Sequence, residues 1–316
     1  MKKTTPITVS RRNHLRLIVV LLAAAAAVVS FTHRAFRPDV PVSSERTVAE
    51  KVRETDRKRE DGTSRTSSAS GTASEPTSPK SGVPVPDRLE LPAFASSEFI
   101  VRNETGRYTL LYDTACRQAA WVAYLLTRRE AETRGTERKN AFRSDPEVVA
   151  RGWPTATVRD YVRSGFDRGH LLPSADRDDT AEENGATFYL SNISPQRPGF
   201  NRGHWRLLEE QVRRWAVRYD SLYIVTGGEL RPSLPRIAGS VSVPERYFKA
   251  ILVCSDGEWR AAAFLLPNKD TLSGKFTDYM YSVDRVEQEL GMDFFAALPD
   301  EIENRVEAAL DRSFWK

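Results

Sequence analysis

Histidine and cysteine are both scarce in this sequence, and their scarcity limits the chemistry that it can support. The 316 residues include four histidines and two cysteines. Because His14 and His33 lie near the N-terminus, the rest of the chain contains only His170 and His204. A zinc site built on these two would need a third protein ligand, and no cysteine or further histidine lies near them. The sequence therefore argues against a zinc centre, and His204 is interpreted as an exposed polar residue.

The two cysteines allow at most one disulfide. Cys116 and Cys254 both lie among apolar residues. This setting favours their interpretation as small core residues, and a bridge between them in an oxidising compartment is the alternative.

The chain also lacks an apolar run of the length that a bilayer requires. Residues 17–31 are apolar and small, but as a helix they would extend about 22 Å, short of a hydrocarbon layer of about 30 Å. Basic residues precede this run, and a cationic start before a short apolar run is typical of an export signal. The pair Arg11 and Arg12 also resembles a twin-arginine signal. We expect residues 1–36 to be an export signal or an uncleaved signal-anchor.

Export would place the protein outside the cytoplasm in one of two ways. An uncleaved segment would anchor it in the membrane, facing the periplasm or the exterior, and cleavage would release it as a secreted protein. Residues 37–92 are rich in Ser, Thr, Pro and charged residues, and they contain too few apolar side chains to offset the entropy of ordering. We expect a disordered tether there, followed by one domain over residues 93–316.

Apolar patterns predict the secondary structure of that domain. Strands are expected over residues 99–102, 108–112, 119–126, 188–193, 222–226, 247–253 and 260–266. Helices are expected over residues 201–218, 282–290 and 300–310, the first with an apolar stripe of Trp205, Leu208, Val212 and Trp215. Residues 128–146 are interpreted as a polar loop. This mixture predicts an α+β fold with mostly antiparallel strand pairing.

Residues that suit phosphodiester chemistry are concentrated between positions 167 and 209. In chain order they are Asp167, Arg168, Gly169, His170, Asn192, Asn201 and Glu209. An imidazole has an ordinary pKa near 6.5, so it can accept a proton from water at neutral pH. A guanidinium can neutralise a phosphate oxyanion. Amide and carboxylate oxygens are suitable ligands for Mg²⁺.

These motifs resemble those of the DNA/RNA non-specific endonuclease family, within the ββα-metal (His-Me finger) superfamily. The Asp-Arg-Gly-His string is followed in order by Asn192-Ile193-Ser194-Pro195-Gln196, Asn201 and Glu209. The resemblance extends over residues 99–299. It implies an α+β fold with a mostly antiparallel central sheet flanked by helices. It also implies a divalent-metal-dependent endonuclease that hydrolyses DNA and RNA to 5′-phosphate products. A homodimer is one assembly open to such an enzyme, and the sequence does not specify its oligomeric state.

The resemblance implies catalytic and substrate-binding roles for three basic residues. His170 would be the general base that activates water, and Arg168 would bind the scissile phosphate and stabilise its charge. An arginine in the polar loop would contact substrate phosphate. Arg138 is the candidate for that contact, with Arg134 and Arg143 as alternatives.

The implied metal site is built from oxygen ligands. Asn201 would bind Mg²⁺ directly, with Mn²⁺ or another divalent cation as a substitute, and Glu209 would act through a bound water. Asn192 is placed in the catalytic set because it would orient its loop within the site. Asn201 could instead cap the predicted helix, and Glu209 could instead pair with Arg213 one turn on.

A non-catalytic nucleic-acid-binding protein on the same fold is the alternative function. The net charge of +4 does not separate the two functions, since it suits both polyanion binding and ordinary solubility. The joint presence of His170, Arg168, Asn201 and Glu209 favours the enzyme, because an inactive copy would have little reason to keep all four.

Overall fold

The computed structural model describes residues 88–137 and 139–316. The predicted export segment, the tether up to residue 87 and the phosphate-binding candidate Arg138 lie outside the described residues. Among the residues that are described, no helix is both long enough and apolar enough to cross a membrane.

The strands are numbered in chain order. They are β1 (Ile100–Asn103), β2 (Tyr108–Asp113), β3 (Gln118–Thr127), β4 (Asp167–His170), β5 (Ile193–Gln196), β6 (Ser221–Gly228), β7 (Arg236–Ile237), β8 (Val241–Ser242), β9 (Arg246–Ser255), β10 (Glu258–Pro267) and β11 (Met280–Tyr281). Seven strands form one sheet in the order β1-β2-β3-β6-β9-β10-β11. Every neighbouring pair in this sheet is antiparallel, which confirms the predicted pairing.

Seven helices accompany these strands in the described residues. They are α1 (Arg128–Glu132), α2 (Pro146–Ala150), α3 (Ala181–Ala186), α4 (Pro198–Phe200), α5 (Arg206–Tyr219), α6 (Val283–Leu290) and α7 (Asp300–Ala308). Helix α1 lies in the segment predicted to be a loop. The side chain of Thr127 accepts a hydrogen bond from the backbone of Glu130, whose side chain caps Thr127 in return. This capping box was the sequence signal for the missed helix.

Tight turns join the long strands of the sheet. Strands β9 and β10 are connected by Asp256 and Gly257, whose φ angles are 54° and 79°. Positive φ at both central residues is what a type I′ two-residue hairpin turn requires, and Asp-Gly meets this requirement at low cost. The turn fixes the register that pairs Ser255 with Glu258 and continues to Arg246 with Pro267.

The two faces of the sheet carry separate apolar cores. Helix α5 covers one face, and its predicted stripe is buried there: Trp205, Leu208, Val212 and Trp215 are each no more than 1% exposed. Helices α6 and α7 cover the other face, where Val283, Val286 and Val306 pack with Trp121 and Val225. Because side chains alternate along a strand, neighbouring residues such as Ile224 and Val225 belong to opposite cores.

The two cysteines are not bridged in this structure. Cys116 and Cys254 are both free thiols, the first buried and the second half-buried. The interpretation as small residues within or beside the core agrees with this placement, and the disulfide alternative is not formed.

The packed domain begins earlier than the predicted boundary at residue 93. Leu89 is fully buried in the core beneath α6 and α7, and Leu91 packs against the same core. Arg88 donates a hydrogen bond from Nε to Glu90 Oε1 at 2.8 Å. The last residues of the predicted tether are therefore part of the domain.

A truncation that starts at residue 93 should consequently be less stable than one that starts at residue 88. Removing a buried leucine side chain costs about 2–5 kcal/mol, which corresponds to a melting temperature lower by at least about 5 °C in a domain of this size. Thermal unfolding of the two purified proteins, followed by circular dichroism, measures the difference. Equal melting temperatures would show that Leu89 contributes nothing to the core.

Candidate active site

A two-stranded sheet followed by a helix carries the residues identified in the sequence. Strand β4 pairs with β5 in antiparallel register, with His170 opposite Ile193. The chain then passes through α4 and a π-helical turn, Asn201–Trp205, into α5. A strand was predicted over residues 188–193, but the strand in the structure begins only at Ile193 and continues to Gln196. The residues just before it form a buried helical turn, Leu190–Asn192.

His170 lies between two aromatic rings. Its own ring is 4.8 Å from that of Phe188 in an edge contact and 5.6 Å from that of Phe142, measured between centroids. Only 9% of the residue is exposed. The rings fix the orientation of the imidazole and limit its access to water. Phe142 was not predicted as a site residue, although it is the single aromatic residue between positions 128 and 146.

Arg168 lies on the exposed side of β4, one residue from Gly169 and two from His170. Its guanidinium stacks 4.4 Å above the ring of Phe142, so this one ring contacts both the arginine and the histidine. Within the described part of the chain, Arg168 takes part in no ion pair. The guanidinium is thus held in place by stacking while its N–H groups remain available to an anion.

The alternative phosphate-binding arginines have other contacts. Arg134 donates to the backbone carbonyls of Ala131 and Thr133. Arg143 donates to the carbonyl of Ala141 and stacks on the ring of Tyr189 at 4.4 Å. Both guanidinium groups therefore make contacts that stabilise the local chain.

Asn192 is a positioning residue in this structure. It is completely buried, and its amide donates to the carbonyls of Leu172 and Thr187, both at 2.9 Å. Its Oδ1 accepts from the backbone N–H of Leu172 at 2.9 Å. These bonds hold the chain just after His170, so the contacts of Asn192 are those of a residue that orients its loop.

Asp167 orients the side chain of Asn201. Its Oδ2 accepts a hydrogen bond from Asn201 Nδ2 at 2.9 Å and another from Arg202 Nε at 2.8 Å. Burial acts to raise the pKa of Asp167, but the hydrogen bonds from Arg202 and Asn201 outweigh it, and the pKa is lowered. An ionised Asp167 therefore holds the amide nitrogen of Asn201, which leaves its amide oxygen directed elsewhere.

The helix start differs from the prediction in a way that affects Asn201. The regular helix α5 begins at Arg206, and Gly203 has non-helical angles of φ −104° and ψ −111°. Asn201 therefore lies in the π turn outside α5 and does not cap it, whereas Glu209 lies in the first turn of α5. The rise of about 12 Å expected for eight residues of continuous helix does not apply across this break.

The donor set fits a hard divalent cation. Asn201 offers a neutral amide oxygen whose nitrogen is already bonded to Asp167, and Glu209 offers a half-buried carboxylate. Mg²⁺ needs few protein ligands because it retains several waters. The oxygen of Asn201 would hold such an ion directly, with Glu209 as the second candidate ligand.

The charged residues Arg213, Asp176 and Lys249 form a network close to Glu209. Arg213, which the sequence offered as an alternative partner of Glu209, forms an ion pair with buried Asp176 at 2.9 Å. Lys249 on β9 is fully buried, and its ammonium lies 5.0 Å from the centre of the Trp205 ring. Burial lowers the pKa of Lys249 to about 8, while the carboxylates of Glu209 and Asp176 act in the opposite direction. This network packs α5 against the sheet.

Gly169 is required by a close contact and not by a turn. Its φ is not positive, and it lies within β4. A Cβ atom there would approach Gln196 Cδ to 2.2 Å. The absence of a side chain at Gly169 therefore leaves room for the side chain of Gln196 against β4, between Arg168 and His170.

His204 is separate from His170 in role. Its Nε2 lies 3.0 Å from the carbonyl oxygen of Gly274, and its ring makes an edge contact with Tyr279. Neither histidine belongs to a group of metal-binding side chains in the described residues. The interpretation of His204 as a polar residue outside the site agrees with these contacts.

A basic cleft of about 860 Å³ borders the β4–β5 hairpin at Phe166 and Arg197. The basic residues of its walls are Arg159, Arg163, Arg197, Arg236, Arg246 and Lys269. Arg246 pairs with Glu229 and Glu289, but no described acidic group forms an ion pair with Arg159, Arg163, Arg197 or Lys269. The cleft does not include His170, and it presents unneutralised positive charge beside the strands that carry it.

The family model of the DNA/RNA non-specific endonucleases matches residues 94–301, more than half of the chain. The chain belongs to this family. A nuclease of Nostoc sp. is 34% identical over 221 residues, which cover 67% of this chain and 78% of the relative. Human mitochondrial endonuclease G is 34% identical over 173 residues, 51% of this chain and 58% of the relative. The mitochondrial nuclease of Saccharomyces cerevisiae is 32% identical over 209 residues, 60% and 63% of the two chains.

The solved structure of the EndoG/EndoGI complex has the same fold. It superposes with a TM-score of 0.60 at 26% identity and covers 70% of this chain and 96% of the other. The fold of this DNA/RNA non-specific endonuclease family member is thus the predicted α+β, ββα-metal nuclease fold. The protein is an endonuclease, a hydrolase that acts on nucleic acid, and membership of the family supports a divalent cation as its cofactor.

The comparisons correct the predicted location. Export to the periplasm, the membrane or the exterior was expected, but the human and yeast relatives are named as mitochondrial nucleases. The apolar run that motivated the prediction lies outside the described residues. Neither the predicted membrane attachment nor the predicted homodimer is supported by these relatives.

Proposed function

We propose that the protein is a Mg²⁺-dependent endonuclease that hydrolyses both DNA and RNA, with His170 as its general base and 5′-phosphate products. The observation that carries this proposal is the shared support of His170 and Arg168 by Phe142. One ring positions a proton acceptor and a phosphate-binding cation on the same strand. General acid–base catalysis requires both groups to reach one phosphate in a fixed geometry.

Each residue has a distinct part in the proposed reaction. His170 removes a proton from water, whose oxygen attacks phosphorus. The bond from phosphorus to the 3′ oxygen breaks, the phosphate stays on the 5′ side, and the departing 3′ oxygen takes a proton from solvent to become a hydroxyl. Arg168 stabilises the charge that develops on the non-bridging oxygens. A divalent cation held by Asn201, and by Glu209 through a water, would neutralise charge on the phosphate and the leaving oxygen.

Tolerance of both sugars follows from the groups involved. The proposed contacts of His170, Arg168 and the cation ligands are all with the phosphate group, which DNA and RNA share. None of them reads the sugar, and phosphate contacts carry no information about base sequence. The basic cleft should add further binding that does not depend on nucleic-acid sequence, because Arg159, Arg163 and Lys269 can bind neighbouring phosphates by charge alone. Arg138 remains part of the proposal as a further phosphate contact.

A nicking assay on supercoiled DNA, run beside hydrolysis of a structured RNA, tests the proposed function. Both substrates should be cleaved in Mg²⁺, and EDTA should abolish both reactions while leaving most of the binding to nucleic acid. End-labelling after phosphatase treatment should report 5′-phosphate ends. Binding without cleavage of either substrate in Mg²⁺ or Mn²⁺ would instead support the non-catalytic alternative.

The basic cleft should contribute to substrate binding in a salt-dependent way. Replacing Arg159 and Arg163 together with alanine should make the slope of log binding constant against log salt concentration less negative by about 1.4–1.8, since each lost phosphate contact contributes about 0.7–0.9. Fluorescence anisotropy with labelled DNA, in EDTA to prevent cleavage, measures this slope. The double replacement of Arg128 and Arg129 with alanine is the control, because it removes the same two positive charges outside the cleft. These two arginines lie in α1 and pair with Asp220 and Asp179. An equal change in both variants would reflect net charge alone and exclude the cleft from binding.

A further inference from the structure

Three carboxylates converge between the two C-terminal helices, on the face of the sheet opposite α5. Asp284 and Glu287 lie three residues apart on α6, and Glu307 lies near the end of α7. One oxygen from each of them falls within 4.8 Å of the others. Both helices pack through Val286 and Val306 on the core that includes Trp121 and Val225. Leu171, which follows His170, and Leu208, which precedes Glu209, belong to the core on the other face of the sheet.

Glu307 is the unusual member of this group. It is only 3% exposed, and its Oε1 is buried without a hydrogen-bond partner. Neither Glu307 nor Glu287 forms an ion pair with a basic residue in the described ranges. A buried carboxylate oxygen without a partner is costly, because it loses its hydration and gains no hydrogen bond in return.

The surroundings add negative charge. Burial, together with the negative charges of Glu287, Glu303, Asp293 and Asp284, raises the pKa of Glu307 to about 10. Burial likewise raises the pKa of Glu287 to about 8. The charged groups that contribute most to the two pKa values are acidic.

Protonation alone would leave part of this problem unsolved. A proton on Glu307 removes its charge, but the new O–H group is then a buried donor that needs an acceptor of its own. Glu287 Oε1 already accepts a hydrogen bond from the backbone N–H of Phe294 at 2.5 Å, an arrangement that favours the ionised form of Glu287. A cation between the helices would satisfy the unpartnered oxygen and neutralise several carboxylates together.

We propose that Asp284, Glu287 and Glu307 form a structural site for one hard divalent cation of the Ca²⁺ type, which joins α6 to α7. Ca²⁺ binds carboxylate oxygens at about 2.3–2.6 Å, so ligands on opposite sides of the ion are about 4.6–5.2 Å apart. The three oxygens therefore lie close enough to share one ion. Asp284 and Glu287 are half-buried, which gives an ion access from solvent. The site is independent of the proposed catalytic cation.

Thermal unfolding of the full-length protein in Ca²⁺ is the first test. Because a ligand that binds only the folded state stabilises it, Ca²⁺ at about 100 times its dissociation constant should raise the melting temperature by about 5–10 °C. The double variant Glu287→Gln/Glu307→Gln should lose this increase. Glu301→Gln, which removes one exposed charge from the first turn of α7, should keep it.

Isothermal titration separates this site from the catalytic one. Asn201→Ala should still bind one equivalent of Ca²⁺, whereas Glu287→Gln/Glu307→Gln should lose that equivalent and keep its Mg²⁺-dependent nicking. Should the double variant fail to fold, Asp284→Asn at the solvent edge should show weaker Ca²⁺ binding in the same titration. Equal Ca²⁺ stoichiometry and affinity in the wild-type protein and in these carboxylate variants would overturn the proposal.

The pH dependence supplies a further criterion. Without a cation, the raised pKa values of Glu287 and Glu307 mean that the folded state holds more protons than the unfolded state. The associated stability is complete below about pH 4.5 and is lost as the pH rises through about 8 and 10. The stabilisation by Ca²⁺ should accordingly grow between pH 6 and pH 9. A metal-free protein that gains stability on replacement of Glu307 by Gln, and that shows no Ca²⁺ effect at pH 9, would indicate a carboxylic acid pair and overturn the cation site.

Discussion

Replacing His170 with alanine should lower the rate of nicking by about 10²–10⁴-fold, the usual contribution of a general base. The loss should appear in kcat, because binding depends on Arg168 and the basic cleft. The fold should persist, since alanine keeps the backbone pairing of His170 with Ile193. Single-turnover cleavage of a labelled duplex in Mg²⁺ measures the rate, and anisotropy in EDTA measures the binding.

A cavity between Phe142 and Phe188 makes this prediction more specific. Removal of the imidazole leaves a space lined by the two rings that contact it in the native protein. Added imidazole should therefore restore part of the rate in His170→Ala, with a pH dependence that follows the pKa of the added base. His204→Ala is the matched control, and its rate should equal that of the native protein. Retention of more than about a tenth of the activity by His170→Ala, well above the loss expected of a general base, would exclude His170 from that role.

Replacing Asn201 with alanine should raise the Mg²⁺ concentration needed for half-maximal rate by at least about 10–100-fold. That range is the usual cost of losing an outer partner of a metal ligand, and Asn201 is proposed to touch the ion itself. Glu209→Ala should shift the same concentration less, since its contact is through water. Titration of the nicking rate with Mg²⁺, at saturating DNA, measures both shifts.

Two neighbouring variants separate metal binding from local packing. Asp167→Ala removes the acceptor that holds Asn201 Nδ2, so it should reproduce part of the Mg²⁺ shift without removing a ligand. Arg202→Ala removes the other partner of Asp167 and should leave the Mg²⁺ dependence close to native. Unchanged Mg²⁺ dependence in both Asn201→Ala and Glu209→Ala would place the catalytic cation elsewhere.

Local patterns in the sequence predicted most elements of the sheet and the C-terminal helices. Strands predicted over residues 119–126, 247–253 and 260–266 match β3, β9 and β10 because side chains that alternate between two buried faces leave a nearly continuous apolar run. Helix α6 ends at Gly291, which adopts the left-handed conformation expected of a glycine at that position. The same reasoning misplaced β5, because the buried apolar turn before it has the composition of a strand.

The order of the chemical groups could be read from the sequence: a histidine beside an arginine, then the amides and the carboxylate, at the spacing of one nuclease family. The contacts that support these groups could not, because they depend on the tertiary structure. Phe142 contacts Arg168 and His170 from a separate loop, and Asp167 orients Asn201 just before helix α5 begins. Away from these groups, Glu307 on α7 lies close to Glu287 on α6. Such contacts join residues far apart in the chain, so they leave no periodic trace in the sequence. They follow from the packing of the sheet and its helices, which brings those segments together.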